Sequence, residues 1–427
     1  MGHFAKVGGE QARGSAVRRS WALLVMTLLV LAFALATGFP VFYRTFYILG
    51  LLFVLSFGWV WLSLRNVEVE VLRTTLRTRA GQSIKETVSA RLKRRAPWGL
   101  IEVREQSETS AERPGVVLGL EGSEATTADL EVACPMRGVY AVGPAVVEAG
   151  DPFNLWRLRR TTGAAQRVVV HPTTTELPGF VLLPADLPGE GQVHQRSPHV
   201  TTSAYGVRDY IPGDTISRIS WKTTARLGRL MAKEFEMEPA NNIWVLVDMQ
   251  RQSHAGPAGR AIEETTITVA ASICRRYSEG GYPVGLAATG NERVALSAQR
   301  GAEHLLRMMD ALAALRAQGH TPLLEVIANL HARAGRYTSV AIVTPSRDDA
   351  WLDGVRHLLE RRSRITVVTV DGDTGTEEFP EVTHQAAAVG VPVYAVKAGR
   401  LPETGLIAVQ APSATYSRGV GMSGARA

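Results

Sequence analysis

The chain has 427 residues, of which 45% are hydrophobic and 20% charged, so it can bury a core and is not a disordered tail. Its two cysteines, Cys134 and Cys274, lie outside any Cys-x-x-Cys motif, which excludes a disulfide framework and a cysteine zinc site. The net charge of +7 is uneven, because residues 1–100 sum to +10 and the remainder to −3. The basic excess flanks an apolar region, which favours membrane electrostatics over nucleic-acid binding.

The first predicted elements are two apolar segments near the N-terminus. Residues 21–39 and 46–64 each contain 19 residues without a charge. Each segment can cross about 30 Å of hydrocarbon as a helix. A signal peptide and a buried core hairpin are the alternatives, but the second span follows after six residues and both segments are apolar on all faces. We therefore predict a two-helix transmembrane hairpin over residues 21–64.

Basic residues beside the spans predict their orientation. Arginines precede the first span and follow the second, whereas the connection between them contains Arg44 alone. The positive-inside rule then places both termini in the cytoplasm of a multi-pass cell-membrane protein. Residues 1–20 are accordingly expected to form a basic cytoplasmic N-terminus, and the chain beyond the hairpin is expected to be cytosolic.

Short alternating strands and recurring turn signals follow over residues 65–171. This pattern predicts a small antiparallel domain that is β-sandwich-like. Near its end, Asp151-Pro152 predicts a structural corner. Three apolar side chains of this corner are expected to plug the domain: Phe153, Leu155 and Trp156.

Residues 172–240 are predicted to be a linker with a dense motif. Pro212-Gly213 predicts a turn, Asp214 the cap of a short helix, Gly228 its end, and residues 230–237 a strand. A structural bracket, a partner-docking surface and a catalytic centre are the three interpretations, and no nucleophile–base pair supports the third. Three cations are expected to form one row at spacings of four on this helix: Arg218, Lys222 and Arg226.

Alternating strands and helices from residue 241 to residue 400 predict a doubly wound α/β domain. The expected strands are 243–247, 282–288, 339–344, 365–370 and, as the last, 391–396. The expected helices are 260–279, 302–317, 323–334 and 349–362. Residues 401–427 are expected to be a tail, largely disordered from residue 411.

The order of these motifs resembles the family known as domain of unknown function number 58. Its signature is matched by residues 205–226, and a second pattern by Arg137-Gly138-Val139-Tyr140 followed by the Asp-Pro-Phe-x-Leu corner. The resemblance extends from Trp21 to about Lys397. It implies a membrane-tethered protein with a von Willebrand factor A-like domain and a MoxR-type AAA+ ATPase as partner.

The resemblance also implies where a metal would bind. A von Willebrand A domain that holds Mg²⁺ uses Asp-x-Ser-x-Ser after its first strand, a loop Thr, and an Asp after a central strand. Here Asp248 and Thr321 match, but Gln250 and Gln252 replace the serines, and residues 342–346 contain no Asp. We therefore predict a degenerate remnant in which Mg²⁺ is disfavoured.

The expected function is that of a non-enzymatic adaptor at the membrane, which partners the ATPase in assembly or maturation of envelope complexes. The alternative is a Mg²⁺-dependent von Willebrand A-type protein or enzyme that uses Asp248 and Thr321. Nucleic-acid binding is disfavoured, since the chain beyond residue 100 is slightly acidic. The residues expected to bind the partner are Arg208, Asp214, Arg218, Trp221, Lys222 and Arg226.

Overall fold

A computed structural model divides the chain into two units, Met1–Pro172 and Thr173–Ala427. It describes residues 11–93, 99–109, 115–120, 125–182, 204–211, 216, 219–235, 242–331, 338–361, 363–373, 375, 378–401 and 405–409. Asp214, Arg218 and the predicted disordered tail 411–427 lie outside these ranges.

The first unit begins with a helical hairpin of α1 (Gln11–Thr37) and α2 (Pro40–Asn66). The turn comprises only Gly38, which takes the left-handed φ of 69°, and Phe39. Residues 40–45, predicted as a connecting loop, are helical because Pro40 stands at the first helical position, where its fixed φ fits and its missing N–H is not needed. Both helices are long and apolar enough to cross a membrane.

Two β-sheets follow in the same unit. A three-stranded sheet has the order β1-β3-β6, and a six-stranded sheet has the order β2-β9-β7-β4-β5, with β8 paired to β7. Every pairing is antiparallel, as predicted, except that β2 runs parallel to β9. The strands are β1 (Val67–Arg73), β2 (Arg77–Arg79), β3 (Gln82–Leu92), β4 (Gly99–Ser107), β5 (Gly115–Leu120), β6 (Thr126–Cys134), β7 (Gly138–Gly150), β8 (Arg157–Thr162) and β9 (Gln166–His171).

The corner between β7 and β8 is held by one carboxylate. Asp151 accepts hydrogen bonds from the backbone N–H of Phe153 at 3.0 Å and of Trp156 at 2.6 Å. Leu155 is buried, whereas Phe153 is 59% exposed, so the prediction that Phe153 plugs the domain is wrong. Trp156, two residues beyond the left-handed Asn154, packs against the apolar core of the β domain and also against helix α2.

The second unit contains a seven-stranded sheet with the order β14-β13-β12-β15-β16-β17-β18. The five central strands are parallel, and the two edge strands are antiparallel to their neighbours. A separate hairpin pairs β10 with β11. The strands are β10 (Ala204–Asp209), β11 (Met231–Phe235), β12 (Ile243–Val247), β13 (Val284–Thr289), β14 (Arg293–Gln299), β15 (Ser339–Thr344), β16 (Arg364–Asp371), β17 (Val393–Lys397) and β18 (Ile407–Val409).

Helices cover both faces of this sheet. Side chains along β12 alternate between two apolar clusters, with Val245 in the first and Leu246 in the second. The first cluster includes α4 and α5, and the second includes α6, α7 and α8. The helices are α3 (Trp221–Leu227), α4 (Gly259–Glu279), α5 (Ala302–Ala314), α6 (Leu323–His331), α7 (Trp351–Glu360) and α8 (Glu381–Ala388).

Three elements of this unit differ from the sequence prediction. Strand β14 and helix α8 were not predicted, and residues 391–396 are not the last strand, because β18 pairs with β17 beyond them. Part of the predicted linker is also core: Phe180 is fully buried, and the N–H of Leu182 donates to the Tyr277 hydroxyl at 2.8 Å. Apolar residues of a linker can fold onto a neighbouring sheet whenever this removes them from water.

Candidate functional site

The signature motif forms a small substructure of β10, α3 and β11. The two strands pair antiparallel, with Arg208 opposite Ala232, and the Tyr210 N–H donates to the Leu230 carbonyl at 2.9 Å. Ile219 bridges to Ala232 and the Ser220 N–H donates to the Met231 carbonyl, so the chain enters α3 in an extended state. The motif therefore places one short helix across the end of a two-stranded hairpin.

The observed start of helix α3 differs from the sequence prediction in two respects. Helix α3 begins at Trp221 after Ser220, so it is not the helix that Asp214 was expected to cap. Since Arg218 precedes the helix, the predicted row of three cations on one helix is wrong, and only Lys222 and Arg226 belong to α3. The pairing of Ile219 with Ala232 interrupts any single helix that would run from residue 218 to residue 226.

The end of α3 matches the prediction. Gly228 has a left-handed φ of 68°, and its N–H donates to the Thr224 carbonyl at 2.9 Å. The Thr224 hydroxyl accepts the Met231 N–H at 3.0 Å, which fixes the start of β11. A left-handed residue at this position ends a helix and turns the chain, as glycine does at low cost.

The substructure presents an apolar and basic face, called here the signature surface. All seven residues of α3 are described and none is buried; Trp221 is 61% exposed. Lys222 and Arg226 are exposed on the same helix. Arg208 is half-buried and donates to the Asp209 carbonyl at 2.9 Å. The other large exposed apolar residues of the surface are Ile211, Ile216, Leu227 and Leu230.

A second candidate site lies at the carboxyl ends of the parallel strands. The chain passes from β12 outward to β13 and later returns to β15 on the other side of β12. Such a reversal leaves a crevice in which α/β proteins bind ligands. Asp248 follows β12 directly and is 2% exposed. Its Oδ1 accepts the Gln250 N–H at 3.0 Å, and its Oδ2 accepts the Thr344 hydroxyl at 2.7 Å.

Burial raises the pKa of Asp248, while the hydrogen bonds from Gln250 and Thr344 oppose that rise. Thr344 in turn accepts the Ser346 N–H at 3.0 Å. Thr344 was not predicted, because the von Willebrand A pattern has an acid, and not a hydroxyl, at the end of this strand. The available signal was a hydroxyl residue that ends an otherwise apolar strand.

The other remnant residues lie around the same crevice without joining Asp248 as a ligand set. Gln250 bridges to Gly319 and its side-chain amide donates to Gln252 at 3.4 Å. Thr321 follows Gly319 by two residues and is half-buried. The Gly319 backbone lies so close to β13 that only glycine fits, since a Cβ there would lie 2.2 Å from the Thr289 carbonyl oxygen.

These residues do not fit a Mg²⁺ site. Both Asp248 oxygens already accept hydrogen bonds within the protein. Within the described ranges, no group of three or more His, Cys, Asp or Glu side chains is arranged to hold a metal ion. Mg²⁺ prefers several oxygen ligands that include carboxylates, and a single engaged carboxylate does not supply them.

An ion pair joins the carboxyl ends of the neighbouring strands β16 and β17. The Lys397 ammonium lies 2.5 Å from Asp371 Oδ2, donates to the Glu378 carbonyl at 2.9 Å and lies 4.8 Å from the Phe379 ring centroid. Arg347 reaches Asp371 Oδ1 at 3.0 Å from the solvent side. Asp371 Oδ1 also accepts the backbone N–H of Asp373 at 3.1 Å.

The first unit contains a buried carboxylate pair that sequence reasoning missed. Arg73 donates from Nε to Glu86 Oε1 at 2.8 Å and from Nη2 to Glu105 Oε1 at 2.5 Å. Both glutamates are fully buried, and their Oε2 atoms have no hydrogen-bond partner among the described residues. Burial, and then the charge of Glu86, raises the pKa of Glu105 to about 7. The two carboxyls lie on different strands, so their pairing depends on the fold and not on spacing.

The features above define a class: an α/β protein with a signature hairpin–helix substructure, which follows a β domain and two membrane-length helices. The chain belongs to the family described as Protein of unknown function DUF58, whose model matches residues 206–426. That match contains the signature surface and the Asp248 crevice together.

Two curated relatives match parts of the chain. Uncharacterized protein YeaD of Bacillus subtilis is 33% identical over 135 residues, which cover 32% of this chain and 31% of that protein. Uncharacterized protein Rv1480 of Mycobacterium tuberculosis is 23% identical over 219 residues, which cover 50% of this chain and 64% of that protein. The chain thus matches about a third of one relative and less than two thirds of the other.

Solved structures give no further information. A beta-glucosidase from Listeria innocua is 14% identical, covers 24% of this chain and 16% of its own, and has a TM-score of 0.17. A glycosyl hydrolase family 2 member from Bacteroides cellulosilyticus is 10% identical, covers 75% and 37%, and also has a TM-score of 0.17. Such scores carry no argument about fold or activity.

Proposed function

We propose that the protein is a non-catalytic, membrane-anchored adaptor whose signature surface binds a second protein. The observation that carries this proposal is the exposure of Trp221 and its apolar neighbours beside Lys222 and Arg226. Soluble proteins rarely leave contiguous large apolar side chains in water, and such patches mark interaction surfaces. Trp and Arg are also the residue types that most often dominate binding energy at interfaces.

The anchor is the helical hairpin. Most side chains of α1 and α2 within their apolar windows are exposed, which suits contact with lipid and would be costly in water. Arg19 and Arg65 stand at or near the ends of the two membrane-length spans that lie away from the turn. The positive-inside rule then orients both termini, the β domain and the second unit toward the cytosol.

The partner that we propose is a MoxR-type AAA+ ATPase, with assembly or maturation of envelope complexes as the process. This step rests on the family resemblance, and so does a von Willebrand factor A-like character of the α/β domain. The parallel sheet with helices on both faces and an acid at its switch point is compatible with that character. Because the Asp248 crevice does not fit Mg²⁺, docking would use surface complementarity and not a metal bridge.

The Mg²⁺-dependent alternative has less support. Asp248 lies at the end of β12, but its oxygens are engaged by Gln250 and Thr344.

Affinity purification of the full chain from native membranes, with and without ATP, tests the adaptor. We expect stoichiometric recovery of an AAA+ ATPase, and loss of it in Trp221→Ala and in Arg226→Glu. Since both positions are exposed, their melting temperatures should match the wild type. Leu306→Ala is the matched control, because Leu306 is 43% exposed on α5, outside the signature surface. Recovery of the protein alone, or equal recovery in all variants, would contradict the proposal.

A further inference from the structure

A cavity of about 710 Å³ lies in the first unit where the helical hairpin meets the β7–β8 corner. Trp21 and Leu24 of α1, Phe53 of α2, and Leu155 and Trp156 of the corner give it apolar walls. Its volume is in the range of pockets that hold small molecules. The cavity is not part of the signature surface or of the Asp248 crevice.

The position of the cavity along the helices can be measured from the hairpin turn. At 1.5 Å per residue, Phe53 lies ~20 Å from the start of α2, and Phe57 lies ~26 Å from it. Both rings meet the Trp156 indole edge-on, at 4.9 and 5.2 Å between centroids. On α1, Trp21 lies ~24 Å from the helix end at the turn. In a bilayer with about 30 Å of hydrocarbon, this level is the cytoplasmic leaflet just below its headgroups.

Cations stand on one side of the apolar walls. Arg157 and Arg159 line the cavity from β8. Arg159 is exposed, and Arg157 is 3.6 Å from Glu148, a third polar lining residue, and donates to the Asn154 side chain at 3.0 Å. Arg19 lies two residues before Trp21 on α1 and is exposed. The charge of this rim is therefore net positive.

Apolar walls next to arginines at the headgroup level match one ligand chemistry. Acyl chains fill an apolar pocket at the depth of the hydrocarbon, and a phosphodiester accepts charge-assisted hydrogen bonds from guanidinium groups. Basic pockets beside membrane helices on the cytoplasmic side bind anionic headgroups in this way. Trp21, which is 63% exposed, is the type of aromatic residue that membrane interfaces retain.

We propose that this cavity binds one anionic phospholipid of the cytoplasmic leaflet. Its acyl chains pack against Trp21, Leu24, Phe53 and Trp156, and its phosphate contacts Arg157 and Arg159. The inference rests on the proposed membrane anchoring, and it adds a lipid partner to a protein whose proposed role is protein binding.

The test uses the full chain in nanodiscs that contain equal amounts of phosphatidylglycerol and phosphatidylcholine. After gentle detergent extraction, native mass spectrometry counts the lipids retained per chain. We expect one phosphatidylglycerol and no preference for phosphatidylcholine. Arg157→Gln and Arg159→Gln should each lower retention about fivefold, as expected for one cation near an anionic lipid surface. Arg167→Gln, at an exposed position on β9 outside the cavity, should retain the lipid as the wild type does.

A variant without a charge change tests the contribution of the apolar wall to lipid binding separately from that of the basic rim. Leu24→Trp places a larger side chain in the cavity wall and leaves less room for acyl chains. It should therefore lower lipid retention although both arginines remain. Equal retention of the two lipids, or unchanged retention in Arg157→Gln, Arg159→Gln and Leu24→Trp, would overturn the inference. Alkaline carbonate extraction distinguishes this from failure of the anchor: a chain released from membranes contradicts the proposed anchoring, whereas an integral chain without lipid preference contradicts only the lipid site.

Discussion

The Thr344 hydroxyl donates a hydrogen bond of 2.7 Å to Oδ2 of Asp248. The two residues are 96 positions apart in the chain, but they end neighbouring parallel strands at the switch point of the sheet. A second hydrogen bond from the Gln250 N–H occupies Oδ1, so the carboxylate serves as an internal acceptor. Asp248 thus connects β12 to β15 at the place where a ligand would otherwise bind.

Two replacements of Asp248 should show how much its hydrogen bonds, as distinct from its charge, contribute to stability. Asp248→Ala leaves the Thr344 hydroxyl and the Gln250 N–H without their acceptor, and a buried unpaired group costs about 1–3 kcal/mol. Asp248→Asn keeps one oxygen for the Gln250 N–H, and its amide can donate to the Thr344 hydroxyl, so it should lose less stability than Asp248→Ala. Thermal unfolding of the full chain in detergent micelles measures both. Equal destabilisation of the two variants would contradict an acceptor role.

The stability of the wild type and that of Asp248→Asn should depend differently on pH. Since burial raises the pKa of Asp248 in the folded state, the folded protein binds more protons than the unfolded one above about pH 4. Wild-type stability should therefore fall as the pH rises from about 4 until the folded carboxyl has ionised, and this loss should be absent in Asp248→Asn. A constant difference between the two proteins across this range would show that the carboxyl is not perturbed.

Magnesium provides an independent test of the crevice. A specific site at a hundredfold excess of metal over its Kd would stabilise the folded state by about 2.7 kcal/mol. We expect millimolar MgCl₂ or MnCl₂ to leave the melting temperature unchanged in both the wild type and Thr321→Ala. An increase in the wild type that disappears in Asp248→Ala would instead establish the metal-dependent alternative.

The buried pair of Glu86 and Glu105 predicts a second pH effect. The pKa of Glu105 is about 7 in the folded state, against an ordinary value of 4.5, so the folded state holds an extra proton between these limits. Stability should fall with rising pH over this window, with a slope of at most about 1.4 kcal/mol per pH unit, and stay level above it. Glu105→Gln should remove this contribution and leave the one that Asp248 makes. Glu131→Gln, an exposed glutamate of the same unit, should preserve both.

The parts of the fold that sequence predicted well are those with a strong local signal. Strands β12 and β15 are continuous apolar runs, and their observed bounds match the predicted ones. Strand β14 was missed although Val294 and Leu296 alternate with polar residues, because a half-exposed edge strand carries a weak pattern. Helix α8 was missed because it is short, yet Pro380 before it was an available start signal.

The candidate sites depend even more on contacts between distant segments, which local sequence does not predict. Asp248 was placed correctly at the end of a strand by its local sequence. Its contact with Thr344 and the Glu86–Glu105 pairing join distant segments, and no spacing rule reveals them. The helix expected to end at Gly228 begins later than predicted, at Trp221, because pairing of Ile219 with Ala232 interrupts it before that residue.

Gly228 allows a backbone test of the signature substructure. Its φ of 68° is unfavourable for residues with a Cβ, but no atom lies within 4 Å of the position that a Cβ would take. Gly228→Ala should therefore cost about 1 kcal/mol through strain alone, without a steric clash. Gly228→Asn should recover part of this loss, since Asn tolerates the left-handed region. Equal melting temperatures for Ala and Gly would contradict the observed end of α3.

Trp156 predicts how the β7–β8 corner is held to helix α2. Its ring meets Phe53 and Phe57 edge-on, and such pairs contribute about 0.5–1.5 kcal/mol beyond burial. Trp156→Ala should destabilise the full chain in micelles by about 2–3 kcal/mol, less than a fully buried Trp, because this one is half-buried. Trp156→Phe should lose much less, since it keeps a ring and removes an indole N–H that has no partner among the described residues. Phe153→Ala, three residues earlier but 59% exposed, should change the melting temperature little. A larger loss in Phe153→Ala than in Trp156→Ala would mean that the corner meets the helix through the other aromatic residue.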